Sequence, residues 1–299
     1  MKILLATDGS DNADAALDFL LQFPFPEQCT ITLLNVIDGH LFVDPDALGL
    51  DSEQHDAWRH GGETLREEVN QYLDRQAGRV TRDGWTVTTM VRTGHVTEEI
   101  LMAAGELQVD LVIVGAHGLS ESRHFLLGGV AIEVLEYAPC SVLIVKEASV
   151  ETLAAAGGWR VLLAYDDSGP ARKAVSLCSS LPFGEQDKVI VVSVITQVTA
   201  FRQDIHQLMN PISQQKKSAA TAALDGAVAT LRGPISNVTS RMLEGSNSAH
   251  EIIKESAASG CNLIMLGNKG KKALQRFLLG SMTGHIARHA PCSVWVIRD

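Results

Sequence analysis

Residues 2–25 read KILLATDGSDNADAALDFLLQFPF, and residues 160–183 read RVLLAYDDSGPARKAVSLCSSLPF. Laid over one another they align without a gap at a constant offset of 158, so that Asp8 falls on Asp166, Ser10 on Ser168 and Pro24 on Pro182. A second pair follows: LVIVGAHGLSESRHFLLGGVAIEVLEYAPCSVLIV from Leu111 lies over LIMLGNKGKKALQRFLLGSMTGHIARHAPCSVWVI from Leu263, at an offset of 152. The chain is one unit written twice. The six-residue change in offset falls in the middle, where the second copy is shorter. AAAGGW, Ala154 to Trp159, reads as the joint, giving an expected division into 1–147, a linker over 148–158, and 159–299.

Within each copy, short β-branched runs alternate with helical patterns. Strands are expected near 2–7, 29–37, 85–92, 110–115 and 141–146, then near 159–165, 188–195, 236–243, 262–267 and 292–298. LVIVG and LIMLG are apolar throughout, as strands covered by helices on both faces must be, which predicts a parallel sheet. Helical spacing runs over Asp11–Gln22, Val96–Leu107, Gly169–Leu181 and Ser248–Ser259, with a long helix over about Asp51–Ala77 and a shorter counterpart after Pro211. The order β-α-β-α-β-α-β-α-β predicts two doubly wound, five-stranded, Rossmann-like α/β domains. Ligands in such sheets bind outside the carboxyl ends of the strands.

Composition sets the outer bounds. With 299 residues and 45% hydrophobic content, each copy can bury its own core. No run approaches the roughly 20 apolar residues of a spanning helix, and MKILLATDGS carries no basic leader, so a soluble cytoplasmic protein is expected. The five cysteines, Cys29, Cys140, Cys178, Cys261 and Cys292, show no C-x-x-C spacing and read as buried thiols. Net charge is −10, but residues 1–147 hold 24 acidic against 9 basic residues and residues 148–299 hold 11 against 16. The first half is therefore −15 and the second +5, a difference that favours the second for an anionic ligand.

The chemistry-bearing loop follows the fourth strand of the second copy. Gly267-Asn-Lys-Gly270 is followed after nine residues by Gly280-Ser281 and a helical pattern. Glycines bring backbone N–H groups close to an anion, and a helix start adds partial positive charge. Lys269, Lys271, Lys272 and Arg276 lie in this segment, with no acidic residue between Gly267 and Ser281. Such a set suits a polyphosphate.

The strand ending Thr7-Asp8-Gly9-Ser10, the spacing G-x2-G-x9-G-[ST] and the closing Ala-Pro-Cys-Ser-Val at Ala138 and Ala290 resemble the universal stress protein (UspA-type) family in its tandem form, over essentially the whole chain. The resemblance implies an adenine nucleotide α-hydrolase-like fold, an intrachain pseudo-dimer paired through Val142–Val145 and Val294–Ile297, and ATP as ligand, with or without Mg2+. By resemblance Asp166 sits by ribose and adenine, Val194 meets adenine through its backbone, and Leu266 and Gly267 line the pocket. Gly270, Gly280, Ser281 and Met282 would then hold the phosphates, and Lys269 is counted with the nucleotide-binding residues as a cation of the loop. A weaker site is expected at Asp8, Val36, Gly115, Gly118, Gly128 and Gly129, because Gly129 replaces the hydroxyl-bearing residue. Losing one hydrogen bond to a charged group costs about 1.5–3 kcal/mol, roughly ten- to hundredfold in affinity. Tyr165-Asp166-Asp167 departs from the Thr-Asp-Gly pattern, and its bulk and extra carboxylate work against a nucleotide in the second copy.

Other classes fare less well. His40, His55, His60, His95, His117 and His124 are scattered without H-x-x-x-H spacing, so no metal site is expected. Asp8 and Asp166 stand just before helices and read as caps or ribose contacts. No G-x-S-x-G surrounds Ser281, no Walker loop is present, and the SGGxDS loop of adenylating enzymes is absent. No nucleic-acid-reading motif appears among the spread basic residues. The expected function is an ATP-binding sensor or regulator in a stress response, with unknown protein partners and a homodimer as a further option. A weak ATPase or phosphotransferase and a scaffold without nucleotide are the alternatives.

Overall fold

The computed structural model describes residues 1–39, 52–119, 127–196, 203–269 and 279–298. In chain order the first copy holds β1 (Lys2–Ala6), α1 (Asp11–Gln22), β2 (Cys29–Asp38), α2 (Ser52–Arg79), β3 (Trp85–Gly94), α3 (Val96–Leu107), β4 (Leu111–Gly115), α4 (Gly129–Tyr137) and β5 (Ser141–Val145). After α5 (Glu147–Ala156) come β6 (Arg160–Ala164), α6 (Gly169–Ser180), β7 (Lys188–Thr196), α7 (Gln203–Arg232), β8 (Val238–Gly245), α8 (Ser248–Ala258), β9 (Leu263–Gly267), α9 (Ser281–His289) and β10 (Ser293–Ile297). All ten expected strands are present, and the sheets are parallel where the register is resolved.

The chain forms two units, Met1–Gln22 with Pro26–Val142, and Phe23–Phe25 with Leu143–Asp299. In the first, the strand order is β3-β2-β1-β4, and Leu4 sits opposite Thr32 on one side and Val112 on the other. In the second it is β5-β10-β9-β6-β7-β8, counting β5 from Leu143, with Leu162 opposite Ile190 and Ile264. Within the second unit, β5 from Leu143 and β10 are thus neighbours, as the resemblance implies. In both units the chain winds outward from the first strand and then returns to its other side, which opens a crevice at the carboxyl ends. β4 and β9 are apolar and buried from Leu111 to Val114 and from Leu263 to Leu266, as strands covered on both faces should be.

Two elements differ from expectation. The segment read as a linker is largely helical: α5 runs over Glu147–Ala156 and ends at Gly157, whose φ of 66° closes the last turn. The helix expected after Pro211 is neither shorter nor confined to that side. α7 has 30 residues against 28 in α2, beginning at Gln203 and passing through Pro211. An interior proline costs about 3 kcal/mol, which the later turns offset by burying Leu224, Ala227, Val228 and Leu231. The shortening of the second copy lies instead in the connection between β7 and α7.

Candidate functional site

The turn after the first strand has the same skeleton in both copies. Ser10 Oγ accepts from Ala13 N at 3.2 Å, and Ser168 Oγ accepts from Ala171 N at 3.3 Å. The serines are therefore the caps of α1 and α6, not Asp8 and Asp166. The aspartates shape the turn: Asp8 Oδ1 accepts from Ser10 N (3.0 Å) and Asp166 Oδ1 from Ser168 N (3.1 Å). Asp8 reaches further, accepting from Leu119 N at 2.9 Å through Oδ2. A Cβ on Gly118 would come within 2.7 Å of that oxygen, so glycine lets the loop close on the carboxylate. Gly9 turns at φ 80°, whereas Asp167 takes the same turn as a non-glycine at φ 61°.

Gly115 and Gly267 have a packing role beside any ligand role. A Cβ at Gly115 would stand 2.8 Å from Asn12 O, and one at Gly267 2.7 Å from Pro170 Cβ. At Gly128, the backbone N–H donates to Ala116 O (2.8 Å), and at Gly280 to Asn268 O (2.9 Å). Each closes the loop just ahead of the helix it caps, α4 or α9. Gly129 and Ser281 are thus first residues of helices, where N–H groups lack intrahelical partners and favour anions.

Around the first crevice the structure holds a cavity of about 400 Å³. Its walls include Asp8, Val36, Gly115, Gly118 and Gly128, which the sequence grouped as the weaker site; Gly129 is not among them. Leu65 and Val69 from α2 and Val96 and Ile100 from α3 complete the apolar lining. Sequence reasoning missed these four, although Leu65 and Val69 stand four apart on one helical face, as Val96 and Ile100 do. It also missed Tyr72, whose hydroxyl shares a 2.8 Å hydrogen bond with Thr7 Oγ1, and Asn35, which donates to Thr7 O at 2.8 Å. Burial pushes the Tyr72 phenol above its ordinary pKa.

The second crevice is built differently. Tyr165 is 8% exposed, and its hydroxyl donates to Asp167 Oδ1 at 3.0 Å. Arg172 Nε donates to the same oxygen at 3.0 Å. The extra carboxylate is thereby paired, and burial raises the Tyr165 pKa, with the Asp167 carboxylate adding to it. Ser168 Oγ donates to Lys269 O (3.2 Å), which ties the first turn of the copy to the loop after β9. Thr283 stands where the first copy has Ala131, and its hydroxyl donates to Gly267 O (3.1 Å) and Asn268 O (3.3 Å). Asp166, Gly267, Lys269 and Gly280 are joined by this network, Leu266 is buried in β9 next to Gly267, and Ser281 is exposed and Met282 half-buried on the first turn of α9. Val194 lies near the end of β7, beside Leu243 of β8. Gly270, Lys271, Lys272 and Arg276 lie outside the described residues.

From Leu263 to Ile297 the chain contains no acidic residue and five Lys or Arg, whereas 111–145 contains three glutamates and one arginine. Among the described residues no group of three or more His, Cys, Asp and Glu could hold a metal ion. No helix there is long and apolar enough to cross a membrane.

Comparison with known proteins places this arrangement. The Universal stress protein family profile matches residues 1–146 and again 159–298. A universal stress protein of Mycolicibacterium smegmatis is 26% identical over 301 residues, covering 99% of this chain and 96% of its own. A putative universal stress protein of Staphylococcus haemolyticus is 33% identical over 142 residues, 46% of this chain and 83% of its own. The crystal structure of a universal stress protein from Archaeoglobus fulgidus superposes over 99% of this chain and 96% of its own with a TM-score of 0.57 at 19% identity, a likeness of fold. The chain belongs to the universal stress protein family and carries the family domain twice.

Proposed function

We propose that the protein is a cytoplasmic regulator that binds ATP or a related adenine nucleotide in its second copy. The observation that carries this reading is the acid-free stretch from Leu263 to Ile297, in which Lys269 leaves β9 and Gly280-Ser281 opens α9. A helix start with an exposed hydroxyl, preceded in sequence by a stretch rich in cations, favours phosphate oxygens. The Asp167–Arg172 pair removes much of the electrostatic objection raised by the additional carboxylate. Ser281, Met282, Gly280 and Lys269 would hold phosphates, together with Gly270. Asp166, Val194, Leu266 and Gly267 would meet the nucleoside, and Mg2+ would arrive with the polyphosphate. Asn268 Oδ1 is buried without a hydrogen-bond partner among the described residues, leaving an acceptor for a donor from ligand or water.

Denaturing the purified protein and chromatographing what it releases tests the reading. Retained ATP supports a sensor. ADP accumulating from added ATP supports slow turnover at the same site. A protein that carries no nucleotide and ignores added ATP removes the proposal. Gly280→Ala combined with Ser281→Ala is expected to weaken binding at least tenfold, with the fold checked by circular dichroism. An equal loss after Gly128→Ala, with Gly280 and Ser281 intact, would move the site to the first copy.

A further inference from the structure

The cavity of the first unit has a chemistry opposite to the cationic loop of the second copy. Leu34, Val36, Leu65, Val69, Ile100 and Val130 give it apolar walls, enough to enclose a small organic body. The buried polar groups there are already engaged: Asn35 donates to Thr7 O, and Thr7 shares its hydroxyl hydrogen bond with Tyr72. The charged residues on its wall are Asp8 and Asp38; His117 also lines it, and no Lys or Arg does among the described residues. Asp8 is fixed in place by Ser10 N and Leu119 N, one at each carboxylate oxygen, and a carboxylate has lone pairs beyond those two bonds. The half that contains the cavity carries a formal charge of −15, so the field around it attracts cations and opposes anions.

We propose that this cavity binds a small organic cation with an apolar body, an alkyl- or aryl-ammonium compound, and not a phosphorylated nucleotide. The apolar part leaves water for the Leu, Val and Ile walls, and the ammonium stays beside Asp8 and Asp38. A triphosphate in the same place would meet two carboxylates and no described cation, against which stands the partial positive charge of the α4 start alone. The two copies would then recognise ligands of opposite charge, and the inference stands independently of nucleotide binding in the second copy.

A matched series tests it on the full chain at pH 8 by titration calorimetry: 4-phenylbutylammonium, 4-phenylbutan-1-ol and 4-phenylbutyrate share an apolar body and differ in head-group charge. The ammonium is expected to bind at least tenfold more tightly than the butyrate, with the alcohol between them. Asp38→Asn should weaken the ammonium about fivefold, in the range of a partly exposed ion pair, and leave the alcohol unchanged. Ala131→Leu, which fills space on the wall, should abolish binding of all three while circular dichroism and melting show a folded chain. If that variant does not fold, the Asp38→Asn comparison decides alone. Binding of the butyrate as tightly as the ammonium, no binding of any of the three, or an ammonium affinity indifferent to Asp38→Asn would each overturn the proposal. So would displacement of the ammonium by ATP from a protein carrying Gly280→Ala and Ser281→Ala.

Discussion

At the scale of single residues, position matters more than type. Gly267 looks like part of a nucleotide loop in the sequence, yet its missing Cβ is also demanded by Pro170 and by Ala171 N, 3.0 Å from where it would lie. Gly267→Ala is therefore expected to destabilise the second unit by about 1–3 kcal/mol, the usual cost of overpacking, and to do so without nucleotide. A melting experiment on the ligand-free protein reads it; an unchanged transition would assign the glycine to ligand binding alone. Lys146 is a second case. Its Nζ donates to Ala290 O (2.5 Å) at the carboxyl end of α9, where a cation is favoured, but burial lowers its pKa from 10.5 to about 8. Below pH 8 folded and unfolded chains both keep the proton, and the desolvation cost stands in full. Between about pH 8 and 10.5 the folded chain has lost the proton while the unfolded chain retains it, so stability rises with pH across that window. The wild-type protein should gain up to about 3 kcal/mol relative to Lys146→Met between pH 7 and 10.5. Denaturant melts of both at several pH values measure the difference; a constant difference would show that Lys146 is not a buried cation.

At the scale of elements, each copy serves as the control for the other. Asn247 Oδ1 caps α8, accepting from Ala249 N (3.0 Å) and His250 N (3.2 Å), whereas His95 at the matching start of α3 makes no side-chain cap bond. His95→Asn should add about 0.5–1 kcal/mol of stability and Asn247→Ala should remove about 1 kcal/mol. Equilibrium unfolding of both variants checks the pair, and loss of stability in His95→Asn would mean that the imidazole has a packing role. The strands and the shorter helices were legible in the sequence because short, β-branched apolar runs alternate with segments of i, i+3, i+4 spacing, and the same order recurs in both copies. Asp11–Gln22 and Val96–Leu107 match residue for residue. α7 was misread because local propensity at Pro211 was weighed without the packing of its later turns. α5 was missed because its alanines next to Gly157-Gly158 resemble a joint. At the site, the loop glycines were legible, whereas the walls were not: Leu65, Val69 and Asn35 come from elements distant in sequence, and only the fold brings them together.

At the scale of the molecule, the boundary between repeats and the boundary between compact units differ. Phe23 and Phe25 belong to the first repeat but cluster with the second unit. There Phe23 packs edge-on against Trp159 (4.9 Å between ring centres), Phe183 (5.9 Å) and Trp295 (5.7 Å), and Phe25 adds a tilted contact to Trp295. Phe23 and Trp295 are wholly buried. Aromatic pairs of this geometry contribute about 0.5–1.5 kcal/mol each beyond the area they bury, and removing a buried phenylalanine costs about 3–5 kcal/mol. A chain cut to residues 159–299 would retain the whole second repeat and lack Phe23, Phe25 and β5 beside β10. It contains just two tryptophans, Trp159 and Trp295, both in the cluster, so its fluorescence reports the loss without interference. The expected result is red-shifted emission and a lower unfolding midpoint than the full chain shows, and Phe23→Ala in the full chain should produce part of the same destabilisation. Blue emission and unchanged stability in the cut chain would mean that the second repeat closes its core unaided, with Phe23 and Phe25 contributing contact but little free energy.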